Sequence, residues 1–122
     1  MAQNSALDDF KKDTADSTAV DASKKVRVGI IGCGWIDGSH IESYKKQPDV
    51  EIVAGCDLIP GKAAAFLEKY GVEGVKTDYA DHTAMLADKS LKLDCVSVCT
   101  YNRTHAICTI DSLNAGVNVL LE

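Results

Sequence analysis

The sequence is short of several things, and each shortage excludes something. It has 122 residues, only two prolines, one tryptophan and two phenylalanines. The length is less than the roughly 150 residues of an average domain, so one folded unit is expected. No apolar run approaches the roughly 18 residues that a membrane-spanning helix needs, so no membrane contact is expected. Positive charge is in deficit: 13 Lys and Arg stand against 18 Asp and Glu, a net charge of −5. An acidic surface repels phosphate backbones, which argues against nucleic acid as a partner. Of the five cysteines (33, 56, 95, 99 and 108), none forms a CxxC pair, and the count is odd. That argues against a disulfide framework and against a structural zinc site. No His/Cys/Asp group has metal-ligand spacing, so no metal is expected. Free cysteines in apolar runs act as small hydrophobes, which suits a reduced, cytoplasmic setting.

Residues 1–25 also lack glycine, proline and any apolar stripe, and read as a disordered or loosely attached arm. From Val26 the texture changes. Val26–Ile31 is a short β-branched run of the kind buried on both faces of a parallel sheet. Further strands are expected at 50–56, 72–77 (weak), 93–99 and 117–121. Helices are expected at 39–47, 60–70, 79–87 and 104–115, with Pro60 at a helix start and Gly71 and Gly116 at helix ends. Strict alternation of strand and helix forces parallel strands with right-handed crossovers. The expectation for residues 26–122 is therefore a doubly wound α/β sheet of about five strands, in the order 3-2-1-4-5. The fifth strand is then an apolar outer edge, and pairing of two copies through it is expected.

The densest chemical signal is Gly32-Cys-Gly34-Trp35-Ile36-Asp37-Gly38, directly after the first strand and opening the first helix. In that setting glycine serves two ends. Gly32 permits the tight turn, and Gly34 lets bare backbone approach a diphosphate, which the helix N-terminus attracts. Asp57 closes the second strand about 20 residues on, where a carboxylate accepts the adenosine ribose hydroxyls. It would repel a 2′-phosphate, and no Arg follows in Leu58-Ile59-Pro60, so NAD is expected over NADP.

Asp37 stands where the third glycine of such a motif belongs. A carboxylate about 6 Å from the diphosphate, at an effective dielectric of about 20, costs on the order of 3 kcal/mol. That is roughly a hundredfold in affinity. Asp37 would also suit the helix N-terminus as a cap. Weakened cofactor binding is expected either way. His40 is expected to bond locally on its own helix, and His82 to be exposed near a helix start.

Together the residues say more. Gly32-x-Gly34-x-x-Asp37-x-x-His40 resembles the GxGxxGxxH opening of the Gfo/Idh/MocA oxidoreductases, apart from Asp37. Asp78-Tyr79 with Met85-Leu86 resembles that family's DY…LL segment. Thr100-Tyr101-Asn102-Arg-Thr-His105 resembles its TPNxxH loop, with Tyr101 in place of proline. The run from Ala115 to Glu122 is similar to its AGxHVLxEKP ending. The resemblance implies a Rossmann-type NAD(P)-binding N-terminal domain of an enzyme moving hydride between a nicotinamide and a sugar, cyclitol or related alcohol. It implies that Gly32, Gly34, Trp35 and Ile36 border the diphosphate and that Asp57 holds the ribose. Thr100, Tyr101, Asn102, His105 and Glu122 would border the nicotinamide half, although His105 could equally cap its own helix. In the family a catalytic lysine follows the position of Glu122, and a second domain supplies the substrate pocket. With neither lysine nor second domain in the sequence, no catalytic residue is assigned and the 122 residues alone are expected to be inactive. A nucleotide-sensing or interaction module, or a sequence engineered to study the fold, are the alternatives.

Overall fold

The computed structural model describes residues 24–122, so all but the last two residues of the expected arm lie outside the described residues. In chain order the elements are β1 (Val26–Ile31), α1 (Asp37–Lys45), β2 (Val50–Cys56), α2 (Lys62–Lys69), α3 (His82–Ala87), a 3-10 turn (Lys89–Leu91), β3 (Cys95–Val98), α4 (Asn102–Asn114) and β4 (Asn118–Leu121). The strands form one parallel sheet in the order β2-β1-β3-β4.

β1 is central because its apolar run is covered on both faces. On one face Val28 and Ile30 meet Ile41 of α1 and Ala63 and Leu67 of α2. On the other, Ile31 joins Met85 and Leu86 of α3, Cys108 of α4, and Val96 and Val98 of β3. Each such aliphatic side chain contributes about 1.5–3 kcal/mol on leaving water. The register sets Ile31 beside both Cys56 and Val98. The carboxyl ends of three strands are thus level, and the loops that leave them converge on one edge of the sheet. That is where open α/β sheets bind ligands.

The fifth strand expected at 72–77 is not formed. Only Lys76 pairs there, in a parallel bridge to Ala54 on the outer side of β2. The bridge rests on two bonds: Gly55 N–H donates to Lys76 O at 3.1 Å, and Lys76 N–H donates to Val53 O at 3.2 Å. Gly71 and Gly74 both have φ of +71°, which breaks extended backbone, so Val72 and Val75 pack against the core without joining the ladder. The expected order survives with its outermost strand reduced to this bridge. α3 is shorter than expected because Asp81 caps it, accepting from Ala84 N–H at 2.9 Å. Tyr79 therefore lies ahead of the helix. All five cysteines are free, and all but Cys95 are buried. Burial pushes the Cys33 and Cys99 thiols up to about 12, a range in which a thiol is a poor nucleophile. No helix of the described residues is long and apolar enough to cross a membrane.

Candidate functional site

The chain turns sharply at Gly32, whose φ is +87°. A Cβ there would lie 2.8 Å from Thr100 Cγ2 and 3.0 Å from the Cys99 backbone, so only glycine fits between the first and third strand ends. Gly32 N–H donates to Cys56 O at 3.0 Å, tying the turn to β2. Around Gly34 there is room: the nearest atom to an added Cβ is Cys99 O at 3.9 Å. Among the described residues, the N–H groups of Gly34, Trp35 and Ile36 have no acceptor. α1 begins at Asp37 without a side-chain cap. Three free amides and the positive end of a helix are left facing outward, a ready anion site.

Asp57 organises the neighbouring turn. One carboxylate oxygen accepts from Cys33 N–H at 3.0 Å and the other from Ile59 N–H at 2.9 Å. Lys62 Nζ stands 3.8 Å away, and the Asp57 side chain is 11% exposed. The acid therefore bridges the first loop and the start of α2.

These groups border a cleft of about 700 Å³. Gly32, Gly34, Trp35, Ile36, Asp57, Thr100 and Tyr101, all picked out in the sequence, line it. Trp35 is 86% and Tyr101 79% exposed. Three other sequence candidates do not line it. Asn102 opens α4, and the His105 ring is bonded through Nε2 to Thr100 O at 2.7 Å, which steadies the loop from behind. Glu122 donates its N–H to Val98 O at 3.0 Å and turns its carboxylate to His40 Nε2 at 3.4 Å. Lys62 and Arg103 line the cleft unannounced. Lys62 could have been found from its place at the start of the helix that follows Asp57.

Asp37 departs from expectation. It caps nothing: the side chain is fully buried, and neither carboxylate oxygen has a hydrogen-bond partner. Burial pushes this carboxyl up to about 7, partly offset by the Cys99 thiol. The amides that a cap would occupy remain free. The close-packing position has moved one residue on, to Gly38, where a Cβ would lie 2.1 Å from Tyr70 Oη.

The histidines also differ from expectation. His40 bonds across the fold, Nδ1 lying 2.7 Å from Ser97 Oγ on β3. His82 is not a free surface group: its Nε2 lies 2.8 Å from Asp111 Oδ2, joining α3 to α4. Both partners are far off in sequence, so local pattern could not show them.

Residues 26–122 match the Gfo/Idh/MocA oxidoreductases, a family with an NAD-binding Rossmann fold. The chain belongs to that family. Among its Gfo/Idh/MocA relatives, the D-glucoside 3-dehydrogenase of Escherichia coli K12 is 42% identical over 101 residues, 82% of this chain and 27% of the relative. An inositol 2-dehydrogenase of Salmonella typhimurium LT2 is 34% identical over 98 residues, 80% of this chain and 28% of the relative. Of solved structures, the myo-inositol dehydrogenase of Lactobacillus casei, in complex with NAD(H) and myo-inositol, superposes with a TM-score of 0.71 at 26% identity, covering 80% of this chain and 28% of that one. A 3-ketoreductase from Actinomadura kijaniata in complex with NADP gives 0.67 at 29% identity, covering 80% and 30%. The chain thus spans little more than a quarter of these relatives.

Proposed function

We propose that residues 26–122 bind NAD(H) for a dehydrogenase whose substrate is a sugar, cyclitol or related polyol, and that the 122 residues alone bind the cofactor without turnover. One observation carries the reading: Gly34, Trp35 and Ile36, whose amides are free, line the same cleft as Asp57. The amides and the start of α1 hold the diphosphate. Asp57 accepts the adenosine ribose hydroxyls with the lone pairs that Cys33 and Ile59 leave free. Charged hydrogen bonds of this kind contribute about 1.5–3 kcal/mol each. Thr100, Tyr101 and Asn102 border the nicotinamide end, with His105 and Glu122 holding that end in place from behind.

The preference for NAD over NADP is modest. Asp57 repels a 2′-phosphate, while Lys62, 3.8 Å from it, attracts one. Among the relatives above, one solved structure carries NAD(H) and another NADP. The polyol substrate follows from relatives named for inositol and D-glucoside dehydrogenation.

The test is calorimetric titration of the chain with NADH, NADPH and ADP-ribose. Saturable NADH binding, displaced by ADP-ribose and several-fold tighter than NADPH, is expected. Absence of NADH binding at millimolar concentration overturns the reading. Oxidation of inositol or a glucoside by the pure chain overturns the statement about turnover.

A further inference from the structure

Behind the glycine loop, away from the cofactor amides, the fold gathers a set of groups that nucleotide binding does not use. Asp37 and His40 are three apart on α1, so they share a face. Cys99 lies one residue beyond β3. One ligating atom from each of Asp37, His40 and Cys99 lies within 4.8 Å of the other two. The sequence hides this set because Cys99 is brought in only by the parallel register of β1 and β3.

We propose that Asp37, His40 and Cys99 bind a Zn²⁺ ion. The observation that singles out a ligand is the Asp37 side chain, which is 0% exposed and has no hydrogen-bond partner at either carboxylate oxygen. Buried carboxylates are paired, hydrogen-bonded or bound to metal. Among the described residues no cation pairs with it, and the one donor beside it is the weak Cys99 thiol, which, like the His40 imidazole, is a metal ligand.

The spacing of His40 and Cys99 suits one tetrahedral ion. Zn–N and Zn–S bonds of about 2.0 and 2.3 Å at a tetrahedral angle set nitrogen and sulfur roughly 3.5 Å apart. His40 Nδ1 and Cys99 Sγ are 3.8 Å apart. The other ring nitrogen, Nε2, faces Glu122 Oε2 at 3.4 Å. That is the outer carboxylate which orients a metal-bound histidine and leaves Nδ1 as the ligating atom. Ser97 Oγ, 2.7 Å from Nδ1, gives up that bond when the ion enters. Its hydroxyl keeps Tyr44 Oη, 3.0 Å away, as a partner. Ser97 Oγ or a water takes the fourth position.

The donor set selects the ion. Sulfur and nitrogen disfavour Mg²⁺ and Ca²⁺, which take oxygen ligands, and favour Zn²⁺ and its spectroscopic substitute Co²⁺. On binding, the Cys99 thiol proton leaves to bulk water and a Zn–S bond forms. The dication then balances one carboxylate and one thiolate, so the buried cluster is neutral. The ion would pin the first turn of α1 to the end of β3, directly beneath the loop whose amides face the cleft.

The experiment treats the full chain with chelator, then titrates it with Co²⁺ and with Zn²⁺. Expected are one equivalent per chain and a thiolate-to-Co²⁺ charge-transfer band. Cys99→Ser abolishes the band, whereas Cys95→Ser keeps it. Asp37→Asn and His40→Gln each weaken Zn²⁺ binding at least ~10-fold, and Zn²⁺ raises the melting temperature of the parent chain but not of Asp37→Asn. The site is overturned by a folded parent chain that shows no band. It is equally overturned by a band lost in Cys95→Ser, or by an Asp37→Asn chain that Zn²⁺ stabilises as much as the parent. Should Cys99→Ser fail to fold, the Asp37→Asn and His40→Gln titrations decide. None of these readouts depends on nucleotide, so failure of the metal site and failure of the proposed function are separate results.

Discussion

The two ends of the cleft are built differently. At the β1–β2 end the turn and the acid are bonded in place, while the N–H groups of Gly34, Trp35 and Ile36 stay free among the described residues. Gly32 N–H is bonded to Cys56 O at 3.0 Å, both Asp57 oxygens accept backbone N–H groups, and Lys62 closes the outside. At the β3 end, Tyr101 is 79% exposed, and the Thr100 hydroxyl makes only a long bond to Tyr101 O, at 3.4 Å, among the described residues. The first end is held by bonds among β1, β2 and α2 and is complete within the described residues. The second is a loop steadied from behind by His105 and by Thr104, whose N–H and hydroxyl both donate to Tyr101 O at 2.9 Å, with the Tyr101 ring left in solvent. On the proposed function, the grip on the adenosine half of a dinucleotide would be a property of these residues, whereas the nicotinamide end would offer backbone and an exposed aromatic side chain.

The strongest way to break this contrast is Gly32→Ala. The substitution forces a side chain into positive φ and into contact with Thr100 and the Cys99 backbone. Strain and overpacking together cost about 3 kcal/mol, read as a fall in the urea midpoint with unchanged slope. A loss below about 1 kcal/mol would show the loop to be pliable, and the rigid end would not be rigid.

Next in size is a matched pair. On the proposed function, Asp57→Ala removes the acceptor for the ribose and frees Cys33 N–H, so NADH affinity should fall by roughly ten- to a hundredfold, about 1.4–2.8 kcal/mol. Tyr101→Ala, at the open end, should change it less than about threefold, since an exposed side chain loses little buried area on truncation. Calorimetry on both variants compares the two ends directly. Equal effects would mean that the cofactor is gripped evenly along its length.

The rigid end was also the legible end. β1, its glycine turn and the place of Asp57 after β2 follow from residues close in sequence, each with a local physical reason, although α1 begins at Asp37, two residues before the expected start. Where the reading departed from the structure, a distant partner decided. Asp37 reads as a cap beside free amides, yet α1 turns it inward against Cys99. His40 reads as local, yet Ser97 of β3 takes its ring. The strand expected at 72–77 has β-branched residues, but Gly71 and Gly74 at positive φ leave only Lys76 to pair. The five-strand reading missed because residue type was weighed there without backbone geometry.

That lone bridge supplies the smallest effect, and a region remote from both ends of the cleft. Lys76 Nζ bonds Asp88 Oδ2 at 2.9 Å, Tyr79 O–H donates to the same oxygen at 2.5 Å, and Ser90 donates its N–H and O–H to the other. Hydrogen bonds from Ser90, Tyr79 and Lys76 hold the Asp88 carboxyl well below the usual range, and the shared oxygen helps push the Tyr79 phenol, already raised by burial, up to about 12. The sign follows from linkage. A carboxyl whose folded value is depressed adds stability above its unfolded value of about 4, and that stability is lost as pH falls further. Asp88→Asn should therefore lower the melting temperature slightly at neutral pH and flatten the decline below about pH 4, with NADH affinity unchanged. The effect stays small because the Lys76 partner is half exposed and solvent screens the pair. A change in NADH affinity would mean that the edge of β2 is coupled to the Asp57 turn, and the rigidity of that end would then depend on the bridge as well as on its own bonds.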